Sequence, residues 1–172
     1  MVQLRIRTAR HTSRVAAPPQ RVYQLIANVD HWPRMFDAIL SVEHVGWSRG
    51  ADRIRFWGTF GDRRGSWVSV RELNPKRLQL RFRQERPAHP FASLGGLWLV
   101  APKGAGAIVA LDHYFTVVDD DPVAARRLDD MIDRRGTGML EELCRAAEHG
   151  ADDRWFPMPA VARNGVEDVI SR

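Results

Sequence analysis

The sequence has little cysteine and no long hydrophobic run. Cys144 is the only cysteine, so an intrachain disulfide is excluded. No apolar run approaches the roughly 20 residues that a membrane-spanning helix needs. The first residues lack the apolar segment of a signal peptide. A cytoplasmic location without a membrane partner is therefore expected.

Motifs for metal, phosphate and nucleophilic chemistry are also missing. The histidines lack the spacing of metal ligands, and there is neither a glycine-rich phosphate loop nor a nucleophile triad. We therefore expect no metal and no cofactor. The formal net charge of +5 favours an acidic partner, but Lys and Arg form no dense run. Nucleic acid is not an expected partner, because charge without a binding motif is weak support.

The composition that is present is that of a globular protein. Hydrophobic residues make up 44% and charged residues 27% of the 172 residues, which suits a single domain with a sizeable core. We assign residues 1–150 to this domain and expect residues 151–172 to be a mobile C-terminal tail. The sequence predicts no oligomeric state.

Helical patterns stand near both ends of the domain. A strand over about 3–16 is followed by a helix over 18–28, which two prolines begin, and by a short helix in "HWPRMF". A long amphipathic helix starts near residue 122 and is expected to stop at Gly150. Gly136 and Gly138 are unexpected inside it, since each costs roughly 1 kcal/mol relative to alanine. They predict a kink or the close approach of a large group.

Strand patterns fill the middle of the chain. In "KRLQLRFRQE", Leu78, Leu80, Phe82 and Gln84 share one face and charged residues share most of the other. This alternation is typical of an antiparallel sheet with one solvated face. The apolar face must be covered, and one long helix is narrower than a sheet of six or seven strands. A cavity that suits an apolar small molecule is expected between them.

The stretch "SWVSVREL" poses a question about orientation. Trp67, Ser69 and Arg71 alternate with Val68 and Val70, so the two sets lie on opposite faces of a strand. Arg71 is an ordinary surface residue if the valines point inward. It is an interior cation if Trp67 does, and an unpaired interior charge is costly. The residues alone leave both orientations open.

Several stretches, taken together, resemble a known family. "HTSRVAAPPQRVYQLIANVDHWPRMF", "SWVSVREL", "FRQE", "GGLW" and "DHYF" occur in the order and spacing of bacterial type II polyketide aromatase/cyclases. These proteins belong to the START and polyketide cyclase superfamily, and the resemblance covers about residues 8–148. It implies an α+β helix-grip fold: a curved antiparallel sheet of six to seven strands wrapped around a long C-terminal helix, with two short helices and an internal cavity.

The resemblance also implies a function. Such enzymes direct intramolecular aldol closure of a poly-β-ketone tethered to an acyl carrier protein, and then loss of water to give an aromatic ring. In the family the Trp-Ser-Arg face lines the cavity, so Arg71 is expected to stabilise enolate charge. Removing such a cation beside a cavity is expected to leave the fold intact. The cavity walls are expected to include Trp32, Phe36, Trp67, Ser69 and Trp98, whereas Trp57 and Tyr114 point outward.

His113 is the second expected catalytic residue. It shares an apolar face with Val109, Leu111 and Phe115, so it points inward by alternation alone. It is either a core histidine with a satisfied hydrogen bond or a proton donor and acceptor that titrates near neutral pH. A histidine in the matching position of some family members favours the second interpretation.

Arg135 marks a departure from the family. Many relatives carry Arg-Asn-Ser where this chain has Arg134, Arg135 and Gly136. Arg135 is expected to be a substrate-binding cation that faces the cavity, or else to bend outward to solvent. The neighbouring glycines would enlarge the pocket locally.

Other readings stay open. The chain is alternatively a non-catalytic carrier of an apolar ligand or polyketide, or one half of a two-domain cyclase. An acyl carrier protein, which is generally acidic, is expected to dock on the outward-facing arginines of the sheet, which we call the outer arginine set: Arg53, Arg55, Arg77, Arg81 and Arg83.

Overall fold

The computed structural model describes residues 3–149. The expected tail at 151–172 and the helix end at Gly150 lie outside the described residues. Within them, seven strands form one antiparallel sheet in the order β1-β7-β6-β5-β4-β3-β2. The strands are β1 (Arg7–Val15), β2 (Ile39–Ser48), β3 (Ala51–Phe60), β4 (Arg63–Asn74), β5 (Gln79–Gln84), β6 (Phe91–Lys103) and β7 (Gly106–Val117).

Three α-helices cover the inner face of the sheet. Helices α1 (Pro19–Ala27) and α2 (Trp32–Met35) connect β1 to β2, and α3 (Pro122–His149) follows β7. Short 3₁₀ turns at Val29–His31 and Val118–Asp120 join these pieces. The order of elements and the single sheet confirm the α+β helix-grip architecture.

Strand β2 is the element that the sequence patterns did not single out. It forms one edge of the sheet, and most of its residues are exposed. Two shifts in its register with β3, at Ile39/Ser41 and His44/Gly46, interrupt the alternation of inward and outward side chains. An edge strand that is irregular and largely solvated leaves a weak hydrophobic pattern.

Strand β4 turns its Trp-Ser-Arg face inward. Ser69 is 5% exposed and Arg71 is 3% exposed. Val70 lies on the opposite face, between Arg53 of β3 and Arg83 of β5. The implied orientation of "SWVSVREL" is therefore confirmed, and the charge on Arg71 lies inside the protein.

Gly136 in α3 admits a side chain from the sheet. A Cβ atom at position 136 would lie 2.3 Å from Nδ1 of His11 on β1, far inside normal contact. No atom comes within 4 Å of a Cβ built at Gly138. The close approach predicted for this pair of glycines thus occurs at Gly136, and His11 fills the space that was expected to enlarge the pocket.

Two groups of buried apolar residues form the core. The larger joins α1, α2 and the C-terminal half of α3 to the sheet, and includes Ile26, Phe36 and Trp98. The smaller joins the first turns of α3 to β6 and β7 around Phe115 and Ile132. The expected internal cavity takes its walls from both groups.

Candidate active site

The cavity lies between the sheet and α3. Its empty volume is about 550 Å³ including the open mouth. Apolar and aromatic side chains dominate the lining, and a few polar groups interrupt them. The lining residues are Trp32, Ile39, Phe56, Phe60, Trp67, Ser69, Arg71, Leu80, Phe82, Gln84, Leu94, Trp98, Leu111, His113, Arg135 and Met139.

The structure brings seven of the eight predicted site residues to this cavity: Trp32, Trp67, Ser69, Arg71, Trp98, His113 and Arg135. Phe36 is the exception. It is 1% exposed and packs edge-on against Trp32 with ring centroids 5.0 Å apart. Phe36 therefore supports a wall of the cavity from behind instead of lining it.

Aromatic rings make one continuous wall. Trp32 stacks on Phe56 at 5.1 Å between centroids, and Phe56 stacks on Trp67 at 5.9 Å. Phe60 meets the edge of Trp67 at 5.7 Å. The indole N–H of Trp32 donates to the carbonyl of Leu25 at 3.1 Å, which holds that ring in place. The wall is thus made of flat, mutually packed surfaces.

Arg71 lines the cavity, but its charge is paired. Its Nε and Nη2 atoms donate to the two carboxylate oxygens of Asp52 at 2.9 and 2.6 Å, because the two residues face each other across β3 and β4. Nη2 also donates to the carbonyl of Ala27 at 3.0 Å, and Nη1 lies 3.5 Å from that of Ile26. Only Nη1 keeps an uncommitted N–H. Asp52 was not among the predicted site residues. It lies two positions before Ile54, however, and therefore on the same inner face of the strand.

His113 lies deep in the site and is neutral. It is 4% exposed, and its ring meets that of Phe82 edge-on at 5.9 Å. Burial, and then the nearby charge of Arg135, lower the His113 pKa to about 3. The expectation that His113 titrates near neutrality is therefore wrong. Its Nδ1 is buried and has no hydrogen-bond partner among the described residues.

Arg135 turns inward. Its guanidinium lies 4.4 Å from the ring centroid of Phe60 and 5.3 Å from that of Trp67. Its Nη1 donates to the carbonyl of Thr59 at 3.0 Å. Burial lowers the Arg135 pKa to about 10, which still leaves it protonated at neutral pH. Within residues 3–149 no carboxylate lies at ion-pair distance from Arg135.

Comparison with known proteins identifies a family for the chain. Residues 7–147 match the family model described as polyketide cyclase / dehydrase and lipid transport. The chain belongs to this family.

The curated relatives of this polyketide cyclase family member come from Streptomyces. It is 36% identical over 146 residues to a granaticin polyketide synthase bifunctional cyclase/dehydratase of Streptomyces violaceoruber, covering 84% of this chain and 45% of that protein. It is 37% identical over 138 residues to the actinorhodin polyketide synthase bifunctional cyclase/dehydratase of Streptomyces coelicolor, covering 80% and 43%. The chain thus spans less than half the length of these relatives.

Solved structures agree on the fold. The di-domain aromatase/cyclase BexL from the BE-7585A biosynthetic pathway is 38% identical to this family member, with a TM-score of 0.73 over 81% of this chain and 45% of that chain. The Zhui aromatase/cyclase from Streptomyces has the same TM-score of 0.73 at 24% identity, over 86% of this chain and 99% of that one. At that identity the second likeness supports the fold alone.

Nine lining residues of this polyketide cyclase family member were not among the predicted site residues. For three of them, Gln84, Phe56 and Phe60, alternation already indicated an inner face. Gln84 shares its face with Phe82, and Phe56 and Phe60 oppose the exposed Trp57. Gln84 pairs with Ser69 across β4 and β5, and among the described residues no hydrogen bond engages either side chain. Both polar groups are available to a ligand.

The outward residues of the domain are as expected. Trp57 is 45% exposed and Tyr114 is 42% exposed, so both are excluded from the cavity. Tyr114 donates a hydrogen bond to the carboxylate of Asp112 at 3.3 Å on the outer side of the sheet. In the described part of the chain no helix has the length and apolar character needed to span a membrane.

Proposed function

We propose that this domain is an aromatase/cyclase that acts on a poly-β-ketone tethered to an acyl carrier protein. It directs regiospecific intramolecular aldol ring closure and the loss of water that makes the ring aromatic. The observation that carries the proposal is the aromatic-walled cavity interrupted by Ser69, Gln84, His113 and Arg135 in a polyketide cyclase family member.

Geometry supplies most of the catalysis in this proposal. A poly-β-ketone is flexible, and its α-carbons between two carbonyls are already acidic. Holding the two reacting carbons in contact can remove about 7 kcal/mol or more of the barrier. The stacked rings of Trp32, Phe56 and Trp67 offer flat surfaces against which a planar ring can form.

In this scheme the neutral imidazole of His113 accepts a proton and then returns it. Unlike Nδ1, its Nε2 is not fully buried, and no residue among 3–149 forms a hydrogen bond with it. Nε2 accepts a proton from the substrate α-carbon and returns it to the alkoxide oxygen or to the leaving hydroxide. Its proton affinity rises as negative charge develops on the substrate beside it.

Arg71 has a narrower role than its charge alone implies. Asp52 binds the Nε–Nη2 edge of the guanidinium, and the carbonyls of Ala27 and Ile26 accept two further N–H groups, so the remaining N–H of Nη1 can hold one ketone oxygen. Ser69 and Gln84 offer further hydrogen bonds to the ketones. These groups position the chain, whereas Arg71 is largely neutralised by its own carboxylate.

The proposal of an acyl carrier protein as partner rests on the positive charge of the surface. Arg53 donates to Glu85 at 2.6 and 2.9 Å, and Arg55 donates to Glu43 at 3.0 Å, so these two members of the outer arginine set are internally paired. Arg77, Arg81 and Arg83 are exposed, and no ion pair engages them within residues 3–149. We propose that these three attract the acidic carrier protein.

Reconstitution with the minimal polyketide synthase tests the function. Adding the domain should raise the ratio of correctly cyclised product to shunt products, measured by mass spectrometry. Trp67→Ala should change which products form, because part of the wall is removed. His113→Ala should lower the correct product about tenfold if geometry carries most of the rate, and circular dichroism confirms folding.

The same experiment decides between enzyme and carrier. If the domain binds polyketide but leaves the product ratio unchanged, and folded Trp67→Ala and His113→Ala behave like the original protein, the domain is a non-catalytic carrier. Binding without turnover would then explain the apolar lining.

A further inference from the structure

We infer that Arg135, on α3, is the catalytic residue that stabilises the enolate during ring closure, and that Arg71 does not supply this charge. The inference deepens the proposed function and rests on it. It assigns to the cavity a specific anion site, formed by the guanidinium of Arg135 above Phe60 and Trp67.

The two arginines differ in what already neutralises them. Arg71 is 3% exposed and holds a bidentate contact with Asp52. A negative charge approaching Arg71 would also approach that carboxylate, so the net attraction is small. In the described part of the chain Arg135 has no carboxylate at ion-pair distance, and the charge of Glu142 acts on it only from farther away. Its charge is therefore available to a ligand.

The contacts of Arg135 orient its guanidinium toward the cavity. One of its N–H groups donates to the carbonyl of Thr59, and its guanidinium carbon lies over the rings of Phe60 and Trp67. These contacts hold a long side chain in one orientation, and aromatic faces attract a cation. The remaining N–H groups form a fork that suits the two oxygens of a 1,3-dicarbonyl enolate.

His113 belongs to the same arrangement. Both side chains line the cavity, and Arg135 is close enough for its charge to act on the imidazole. When a C–H bond between two ketones breaks, the proton passes to Nε2 of His113 and the electron pair becomes the enolate. Arg135 then balances the negative charge, and no oxidant, reductant or further reactant is needed.

A small 1,3-diketone tests the anion site without any turnover. Benzoylacetone, whose enolate absorbs in the ultraviolet, would be titrated with pH in the presence of the full chain. In the original protein the enolate should bind at least about tenfold more tightly than the neutral form, the scale expected for a nearby opposite charge. Arg135→Met should reduce this preference to about one, and Arg135→Lys should keep most of it.

The controls separate this site from general charge. Arg14→Met removes an exposed arginine from β1 that has no part in the cavity or in the outer arginine set, and it should keep the enolate preference. A preference that persists in folded Arg135→Met overturns the inference, as does a failure of the original protein to prefer the enolate. Circular dichroism establishes that each variant is folded.

Two further readouts distinguish the inference from the proposed function. Arg135→Met should raise the His113 pKa followed by NMR, because a nearby positive charge is removed. In reconstitution it should lower kcat for the correct product on the order of a hundredfold, the scale of one lost charge-stabilising donor. An enolate preference that depends on Arg135, with no effect of the domain on products, would leave the anion site standing and refute the cyclase function.

Discussion

At the scale of single residues, the site is decided by which buried charges have partners. Arg71 and Arg135 both face the cavity, and only Arg71 has a carboxylate bound to it. His113 is kept neutral by burial and by the charge of Arg135. A cation without a carboxylate beside a neutral imidazole can accept an enolate and a proton together. That combination is what the chemistry of aldol closure requires.

The Arg71–Asp52 pair should contribute to folding more than to catalysis. Asp52→Ala should lower the free energy of unfolding by about 3–5 kcal/mol, because it leaves a buried guanidinium without its counter-charge. Arg71→Ala should also destabilise the domain, because it leaves the carboxylate of Asp52 without its partner; the sequence alone led us to expect an intact fold. Urea unfolding monitored by circular dichroism measures both.

A matched control is the exposed pair Arg55–Glu43 on the outer face. Glu43→Ala should change the free energy of unfolding by no more than about 1 kcal/mol, as for solvated ion pairs. Equal effects of Asp52→Ala and Glu43→Ala would contradict the assignment of Arg71 and Asp52 as a buried structural pair.

His113 should make stability depend on pH. Its pKa of about 3 in the folded protein lies below the ordinary value of 6.5, so between these values only the unfolded chain binds the proton. Stability should therefore fall as pH falls from about 6.5 towards 3, with a slope of up to about 1.4 kcal/mol per pH unit from this group. Chemical denaturation of the original protein and His113→Leu at several pH values gives the slope. The idea fails if the variant loses stability as steeply as the original.

At the scale of elements, the packing of the sheet against helix α3 accounts for one of the two glycines in that helix. Gly136 stands where His11 of β1 packs against the helix, whereas Gly138 meets no neighbour within 4 Å. Both residues are equally poor for an isolated helix. Tertiary packing explains the first, and no contact explains the second. Two positions that are two residues apart in one helix can therefore respond oppositely to the same substitution.

Gly136→Ala and Gly138→Ala form a matched pair of variants. Gly136→Ala should destabilise the domain by about 1–3 kcal/mol, because the new methyl group would overlap the His11 ring. Gly138→Ala should stabilise it by up to about 1 kcal/mol through helix propensity alone. Thermal and urea unfolding measure both, and a stabilising Gly136→Ala would show that the His11 ring moves aside without cost.

At the scale of the whole molecule, the domain separates an aromatic-walled interior cavity from a basic exterior. Within the outer arginine set, Arg53 and Arg55 are internally paired, and Arg77, Arg81 and Arg83 are left to act on a partner. Such surface charge raises the rate of encounter with an acidic protein more than it strengthens the final complex. The proposed function therefore places delivery of the substrate and the chemistry on it at opposite faces of one sheet.

Added salt should show how much these exposed arginines contribute to association with the carrier protein. Association with an acyl carrier protein should slow as the Debye length shortens, about 10 Å at 0.1 M salt. The double variant Arg81→Glu and Arg83→Glu should reduce the association rate at low salt by roughly tenfold. Glu substitution at the paired residue Arg55 serves as a comparison. Stopped-flow or surface-binding rates that stay flat with salt would contradict electrostatic docking.

The sequence by itself determined the features that depend on local alternation and period. The period of two in β4, β5 and β7 correctly grouped Trp67 with Arg71 and placed Phe82, Gln84 and His113 on inner faces, because side chains of a strand must alternate. The family resemblance then chose the inner face of β4. The irregular edge strand β2 escaped this reading because its bulges break the alternation.

Tertiary structure decided everything that depends on which elements meet. The register of β3 and β4 places Asp52 opposite Arg71, and the packing of β1 on α3 sets His11 against Gly136. The direction of Arg135 depends on Phe60, Trp67 and the carbonyl of Thr59, all distant in sequence. The same holds for the His113 pKa, which depends on burial and on a charge from another element. Local sequence sets the face on which a side chain lies, but its partners and its charge environment arise only when those faces are brought together.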